Sequence, residues 1–259
     1  MSLRVTLVQS ELAWEAPLEN CRHFAELLKP LAHHNPVTDL VILPEMFSTG
    51  FSMASKKLAE SMTGPTVTWM REQASSLNST LCGSVIIEAD GRYYNRFIWM
   101  PPNGVVEYYD KKHLFRMSAE NENYTAGTAR LVVTLNDFRI CLQVCYDLRF
   151  PVWSRNNGDY DLLLYVANWP AARRQHWRSL LRARAIENLS YVIGVNRVGV
   201  DGAGIDYAGD SLAIDFNGLD LTDMGGEKGL ASIQLERPAL DDYRQRFPAW
   251  RDADDFQLV

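Results

Sequence analysis

Two periods organise the apolar positions of this chain. Arg4 to Val8 and Asp39 to Leu43 are short, nearly continuous apolar runs, the pattern of strands covered on both faces. Between them Leu18, Cys21, Phe24, Leu27, Leu28 and Leu31 recur at helical spacing behind Pro17, which predicts a helix with one face in the core. Thr66 to Leu77 predicts a second helix. Leu81 to Glu88 and Tyr93 to Met100 flank Asp90-Gly91, and Asn103-Gly104 leads into Val105 to Tyr109; these dipeptides between apolar runs predict two hairpins. A further hairpin is expected from Leu131–Leu135 and Phe138–Val144, and another from Leu212–Phe216 and Leu219–Leu221 around Asn217-Gly218. Leu162–Val166, Tyr191–Asn196 and Ala231–Leu235 read as strands. Helices are expected from Val152 onward, through Trp177, Leu180, Leu181, Ala185 and Leu189, and over Pro238–Phe247. Ser48–Met62 and Ser118–Gly127 follow neither period and read as loops, the first a candidate wall for a pocket.

Strands alternating with helices, interrupted by hairpins, imply an α/β fold with mixed sheets. Length and composition narrow this further. A chain of 259 residues with 47% hydrophobic content is enough for one large domain, 1–259, and no linker or repeat interrupts it. The net charge of −6 argues against nucleic acid as a partner, and the longest basic runs are only Lys111-Lys112 and Arg173-Arg174. The start Met1-Ser2-Leu3-Arg4-Val5 lacks the charged and apolar regions of a signal peptide, and no apolar run is long enough to span a membrane. Four cysteines in a chain this long suit a reducing compartment, so a cytoplasmic location is expected.

The candidate chemistry lies where three strands end. Cys145 closes the run Phe138–Val144, just before Tyr146-Asp147-Leu148-Arg149-Phe150-Pro151 turns polar. A thiol placed there can be exposed at the end of a sheet while the ladder holds its backbone. Most free cysteines are small buried hydrophobes, the reading given to Cys21 and Cys141. Glu45 follows the strand Asp39–Leu43 in Leu43-Pro44-Glu45-Met46-Phe47; its apolar neighbours would bury the carboxylate, a setting suited to a general base. Tyr109-Asp110-Lys111-Lys112-His113-Leu114-Phe115 places an ammonium after another strand, and His113 reads as a loop anchor. A carboxylate, an ammonium and a thiol could therefore meet at one sheet edge.

These three segments, with Asn168-Trp169-Pro170 and Trp177…Arg182-Ala183-Arg184-Ala185-Ile186-Glu187-Asn188, closely resemble the nitrilase superfamily of carbon–nitrogen hydrolases, most of all its omega-amidase branch. The resemblance covers nearly the whole chain. It implies a four-layer αββα sandwich and a Glu45–Lys111–Cys145 triad, with Lys111 rather than Lys112 two residues before the His-Leu pair. It also implies a second glutamate that orients the lysine, placed at Glu120, although Glu122 is only two residues away. Family members usually form homodimers through helices following the cysteine and lysine motifs. The implied activity is hydrolysis of the terminal amide of a small monoamide through a thioester, with no metal or organic cofactor. Oxyanion donors would be Lys111 and the Tyr146 N–H. A small amide has little apolar area, so an anionic handle is expected at its far end. Arg149, Arg173, Arg174, Tyr146 and Tyr124 are candidates to hold it, with Phe115 and Trp169 as apolar walls; Arg149 has the alternative of bracing the nucleophile turn.

Two other classes fit part of the pattern. A thiol redox protein would use Cys145 without Glu45 and Lys111, and Cys141 would be its nearby resolving thiol. A silent interaction module would need none of the three. Among hydrolases, a carbamoyl compound, another aliphatic amide or a nitrile is the alternative substrate.

Overall fold

Two six-stranded sheets lie face to face in this computed structural model, which describes residues 2–33 and 38–254. Strands follow in the order β1 (Ser2–Gln9), β2 (Leu40–Ile42), β3 (Thr80–Ala89), β4 (Arg92–Met100), β5 (Glu107–Asp110), β6 (Val132–Leu135), β7 (Phe138–Val144), β8 (Leu162–Ala167), β9 (Tyr191–Asn196), β10 (Val198–Val200), β11 (Asp206–Ala208), β12 (Leu212–Ile214), β13 (Asp220–Asp223) and β14 (Gly229–Glu236). The helices are α1 (Pro17–Leu28), α2 (Ser55–Leu58), α3 (Pro65–Leu77), α4 (Glu120–Asn123), α5 (Pro151–Ser154), α6 (Arg174–Asn188) and α7 (Arg237–Arg246). One sheet runs β14-β1-β2-β3-β4-β5 and the other β13-β12-β9-β8-β7-β6. In each, three central strands are parallel (β1-β2-β3 and β7-β8-β9) and the outer neighbours antiparallel.

Apolar burial joins the layers. Leu3, Val5, Leu7, Phe97 and Trp99 of one sheet share a buried cluster with Ile140, Leu142 and Val144 of the other. Phe24 and Leu28 of α1 and Val67, Met70 and Ala74 of α3 cover the outer face over Val41, Val85 and Ile98. On the opposite side α6 lies so close to β9 that a Cβ on Gly194 would sit 2.6 Å from both Leu181 and Trp177. The expected αββα sandwich is the fold.

The periodic segments become the expected elements. Differences fall where turn chemistry competes. Asp90 and Gly91, and Asn136 and Asp137, adopt positive φ in both residues, the tight hairpin geometry. At Asn103-Gly104 only the glycine does, the Asn103 side chain instead accepts the Val105 N–H, and β5 starts later. At Asn217-Gly218 the Asp215 carboxylate accepts the N–H groups of Asn217 and Leu219, widening the loop. Leu18 is exposed, so the buried stripe of α1 is Cys21, Phe24 and Leu28. Ser118–Gly127 contains a helical turn, α4, and Ser48–Met62 contains α2. The ribbon β10–β11 is too short to show a period.

Candidate active site

The carboxyl ends of β2, β5, β7 and β8 converge on one edge between the sheets, the usual place for a ligand in an α/β fold. The first follows with Glu45, the second with Lys111, the third with Cys145 and the fourth with Asn168. Glu120 arrives from α4. Glu45 and Glu120 are 0% exposed, Lys111 1% and Cys145 8%. Lys111 Nζ donates to Glu45 Oε1 at 2.9 Å and to Glu120 at 2.9 and 3.0 Å. Asn95, in the middle of β4, donates from Nδ2 to Glu45 Oε1 at 2.7 Å and to Glu120 Oε1 at 3.3 Å. The other oxygen of Glu45 accepts the Asn168 N–H at 2.7 Å, and the Asn168 side chain donates to the Glu45 carbonyl. Glu120 Oε2 also accepts the Phe115 N–H. Glu122 is exposed, so the second glutamate at this cluster is Glu120.

Electrostatics follow from burial. Burial alone would discharge Lys111, but Glu120 and Glu45 beside it hold the ammonium above its ordinary range. Burial raises the Glu120 carboxyl, with Lys111 opposing. Burial, then the charge of Glu45, push the Cys145 thiol well above its usual value, and Lys111 opposes both only in part. The enclosure and the neighbouring carboxylate therefore disfavour the thiolate form of Cys145. Its Sγ lies 3.8 Å from the Asn168 carbonyl.

The backbone is strained around these groups. Cys145 itself has φ of +45°, Met46 after Glu45 has +43°, and Ala119 before Glu120 has +60°. Such conformations cost non-glycine residues about 1 kcal/mol each and persist where the surroundings impose them. Asp147 supplies much of that constraint. Its buried carboxylate accepts the Val144 N–H, the Tyr109 hydroxyl, and both the backbone N–H and ring Nδ1 of His113. Lys111 lies between Tyr109 and His113, and Cys145 between Val144 and Asp147, so one carboxylate ties the lysine segment to the nucleophile turn. His113 is the anchor expected, and it also stacks on Phe150 with centroids 3.9 Å apart.

A cavity of about 70 Å³ opens on Lys111 and Cys145. Phe115, Tyr146, Arg149 and Trp169 all line it, as do Phe51, Asn168, Arg173 and Tyr207. Phe115 and Tyr146 meet edge to face at 5.0 Å. The Arg149 guanidinium lies over Trp169 and hydrogen-bonds His176 Nδ1 at 2.8 Å. Bracing of the nucleophile turn falls instead to Arg184, which donates to the Leu148 carbonyl at 2.7 Å. Arg173 lies over Phe115. Neither Arg149 nor Arg173 has a carboxylate partner among the described residues, and no carboxylate lines the cavity. Two sequence candidates lie elsewhere: Arg174 is paired with Asp210 outside the cavity, and the Tyr124 hydroxyl is spent on the Ser52 carbonyl. Sequence reasoning missed Asn95, Tyr207 and Phe51. Phe51 lies in the segment expected as a wall, but nothing marks a mid-strand asparagine or a residue of a three-residue strand. Cys141 faces away, its sulfur accepting from Arg130 and Gln143.

Comparison with known proteins gives the family. The family model for carbon–nitrogen hydrolases matches residues 4–245. The chain is 46% identical over 259 residues to "Omega-amidase YafV" of Escherichia coli (strain K12), covering 99% of this chain and 98% of that protein. It is 28% identical to the "2-oxoglutaramate amidase" of Bacillus subtilis (strain 168), over 97% of this chain and 98% of that one. The crystal structure of XC1258 from Xanthomonas campestris, a CN-hydrolase superfamily protein with an arsenic adduct in its active site, matches with a TM-score of 0.96 and 47% identity over 100% of both chains. With a matching family model over almost its whole length and relatives this similar, the chain belongs to the carbon–nitrogen hydrolases of the nitrilase superfamily.

Proposed function

We propose that the protein is an omega-amidase, hydrolysing the terminal amide of a small carboxylate-bearing monoamide such as 2-oxoglutaramate. The observation that carries the substrate class is the cavity beside Cys145, which holds Arg149 and Arg173 and no carboxylate. Planar guanidiniums suit a carboxylate handle, and the relatives named for omega-amidase and 2-oxoglutaramate amidase activity point the same way.

In this reading Sγ of Cys145 attacks the amide carbon as its proton passes to Glu45, so the buried thiol is never required to rest as an anion. The carbonyl electrons move to oxygen. Of the three protons on Lys111, one serves Glu45 and one is shared by the oxygens of Glu120, which leaves the third for that oxyanion. The Tyr146 N–H, in the first turn after Cys145, is the second donor; removing one such donor typically costs about 3–4 kcal/mol of barrier. Glu45 returns its proton to the leaving nitrogen, ammonia departs, and a thioester remains. Glu45 then takes a proton from water, which adds to the thioester carbon; collapse releases the acid and restores the thiol. Glu120 holds Lys111 throughout.

The same reading makes the enzyme a cytoplasmic homodimer. Free cysteines support the first part: all four are unpaired. Exposed apolar side chains support the second: Val152 on α5, Ile186 on α6 and Met117 just before α4 are on or beside the helices expected at such an interface. Ammonia release tests the substrate class. 2-Oxoglutaramate and succinamate should show higher kcat/KM than neutral amides of equal length, a carbamoyl compound or an aliphatic nitrile. Higher values for any of the latter three would replace the reading.

A further inference from the structure

The two buried carboxylates of the site share more than Lys111. The geometry points to Asn95 as a positioning residue that holds Glu45 and Glu120 as a pair and aims Glu45 at the Cys145 thiol. This rests on the hydrolase reading above.

Asn95 is fully buried in β4 and its amide group spans both carboxylates, donating to Glu45 Oε1 at 2.7 Å and Glu120 Oε1 at 3.3 Å. Its backbone carbonyl accepts the Lys111 N–H at 3.0 Å. Asn95 thus contacts all three charged members of the cluster. Lys111 and Asn95 both end on Glu45 Oε1, while Glu45 Oε2 receives the Asn168 N–H. Three donors fix the plane of this carboxylate, which also acts on the Cys145 thiol. The other end of the amide is informative. Asn95 Oδ1 is buried and has no donor among the described residues. A leucine or a satisfied pair would serve packing better, because an orphaned buried acceptor is destabilising. The amide is instead turned so that its donors meet two anions; a flipped amide would set its oxygen against both.

Two carboxylates and one ammonium leave an excess negative charge in a buried site. Facing Glu45 are Lys111 from the end of β5, Glu120 from α4, the Cys145 thiol from the end of β7 and, within electrostatic range, the hydroxyls of Tyr124 and of Tyr207 on β11. Asn95 supplies donors to that excess without adding charge. Hydrogen bonds to an ionised carboxylate favour the ionised form, so their removal should make the pair easier to protonate.

The test measures turnover and iodoacetamide alkylation of Cys145 against pH for the wild type, Asn95→Ala and Asn95→Ser, with thermal melts for each. For Asn95→Ala, kcat should fall at least about tenfold with KM little changed, and the acid limb should move up by about one pH unit in both assays, as expected for loss of a bond worth about 1.4 kcal/mol to the anion. Asn95→Ser retains one donor and should lie between. A purely structural role would lower the melting temperature without moving either limb. Unshifted acid limbs, or wild-type kcat in Asn95→Ala, would overturn the proposal; if the alanine variant does not fold, an unshifted limb in Asn95→Ser alone does so. Failure of the wild type to release ammonia from any amide would instead remove the hydrolase reading, and alkylation, which needs no substrate, would still decide the role of Asn95.

Discussion

Replacing Lys111 by Met strands two buried carboxylates. Glu45 and Glu120 are 0% exposed, and the lysine is the cation both of them contact, through three oxygens at 2.9–3.0 Å. Removing one partner of a buried pair costs about 3–5 kcal/mol when the other stays charged. Proton uptake limits that cost. Protonating a carboxylate of ordinary pKa requires about 3.7 kcal/mol at pH 7 but only about 1 kcal/mol at pH 5. Lys111→Met should therefore be destabilised by about 3–4 kcal/mol at pH 7 and recover most of it at pH 5. The sign follows from linkage: a carboxyl whose folded pKa is raised binds more protons in the folded state, so stability falls as pH rises through the window between the two pKa values. Lys112 provides the control, since its ammonium lies half-buried over the Trp153 ring at 5.1 Å, an arrangement worth about 1 kcal/mol or less. Urea unfolding of both variants at pH 5 and 7, with ammonia release at each, separates the two. Turnover should fall by about 100-fold or more in Lys111→Met, from the lost oxyanion donor, and little in Lys112→Met. A pH-independent loss of stability, or the opposite ranking of the two lysines, would refute the reasoning.

Cys145→Ala should abolish turnover with the fold retained, whereas Cys141→Ala should keep it; activity in the first and none in the second would reverse the assignment. Because position 145 has φ of +45°, Cys145→Gly should be more stable than Cys145→Ala by about 1 kcal/mol in denaturant midpoints. Asp147→Asn keeps one acceptor oxygen for donors that now use both; it should cost roughly 1–3 kcal/mol of stability and lower kcat by loosening Lys111 against Cys145. Arg173→Gln should raise KM for an anionic amide and leave that for a neutral amide unchanged, while Arg174→Gln, already paired with Asp210, should change neither. Light scattering at micromolar concentration should give twice the mass of one chain.

What the sequence determined by itself is local and periodic. Apolar runs closed by Glu45, Lys111 and Cys145 specify strands that end in chemistry, because alternation and burial are written residue by residue. The Asp90-Gly91 turn, with both residues at positive φ, is legible for the same reason. The family and its sandwich were legible from motifs spread along the chain. Tertiary structure decided everything that depends on distant segments meeting. Glu120 rather than Glu122 reaches Lys111 because α4 begins at Glu120 and residues two apart on a helical turn face opposite sides, which leaves Glu122 exposed. Arg174 is consumed by an aspartate 36 positions away, which leaves Arg173 in the cavity. The thiol is pushed above its usual range because several elements bury it beside Glu45, a property of the enclosure and not of the motif. Asn95 shows the limit best. It sits mid-strand between Tyr94 and Arg96 with no flanking signal, and its two carboxylate partners lie 50 and 25 residues away. Spacing along a chain carries no record of such a contact; only the packing of one sheet edge creates it.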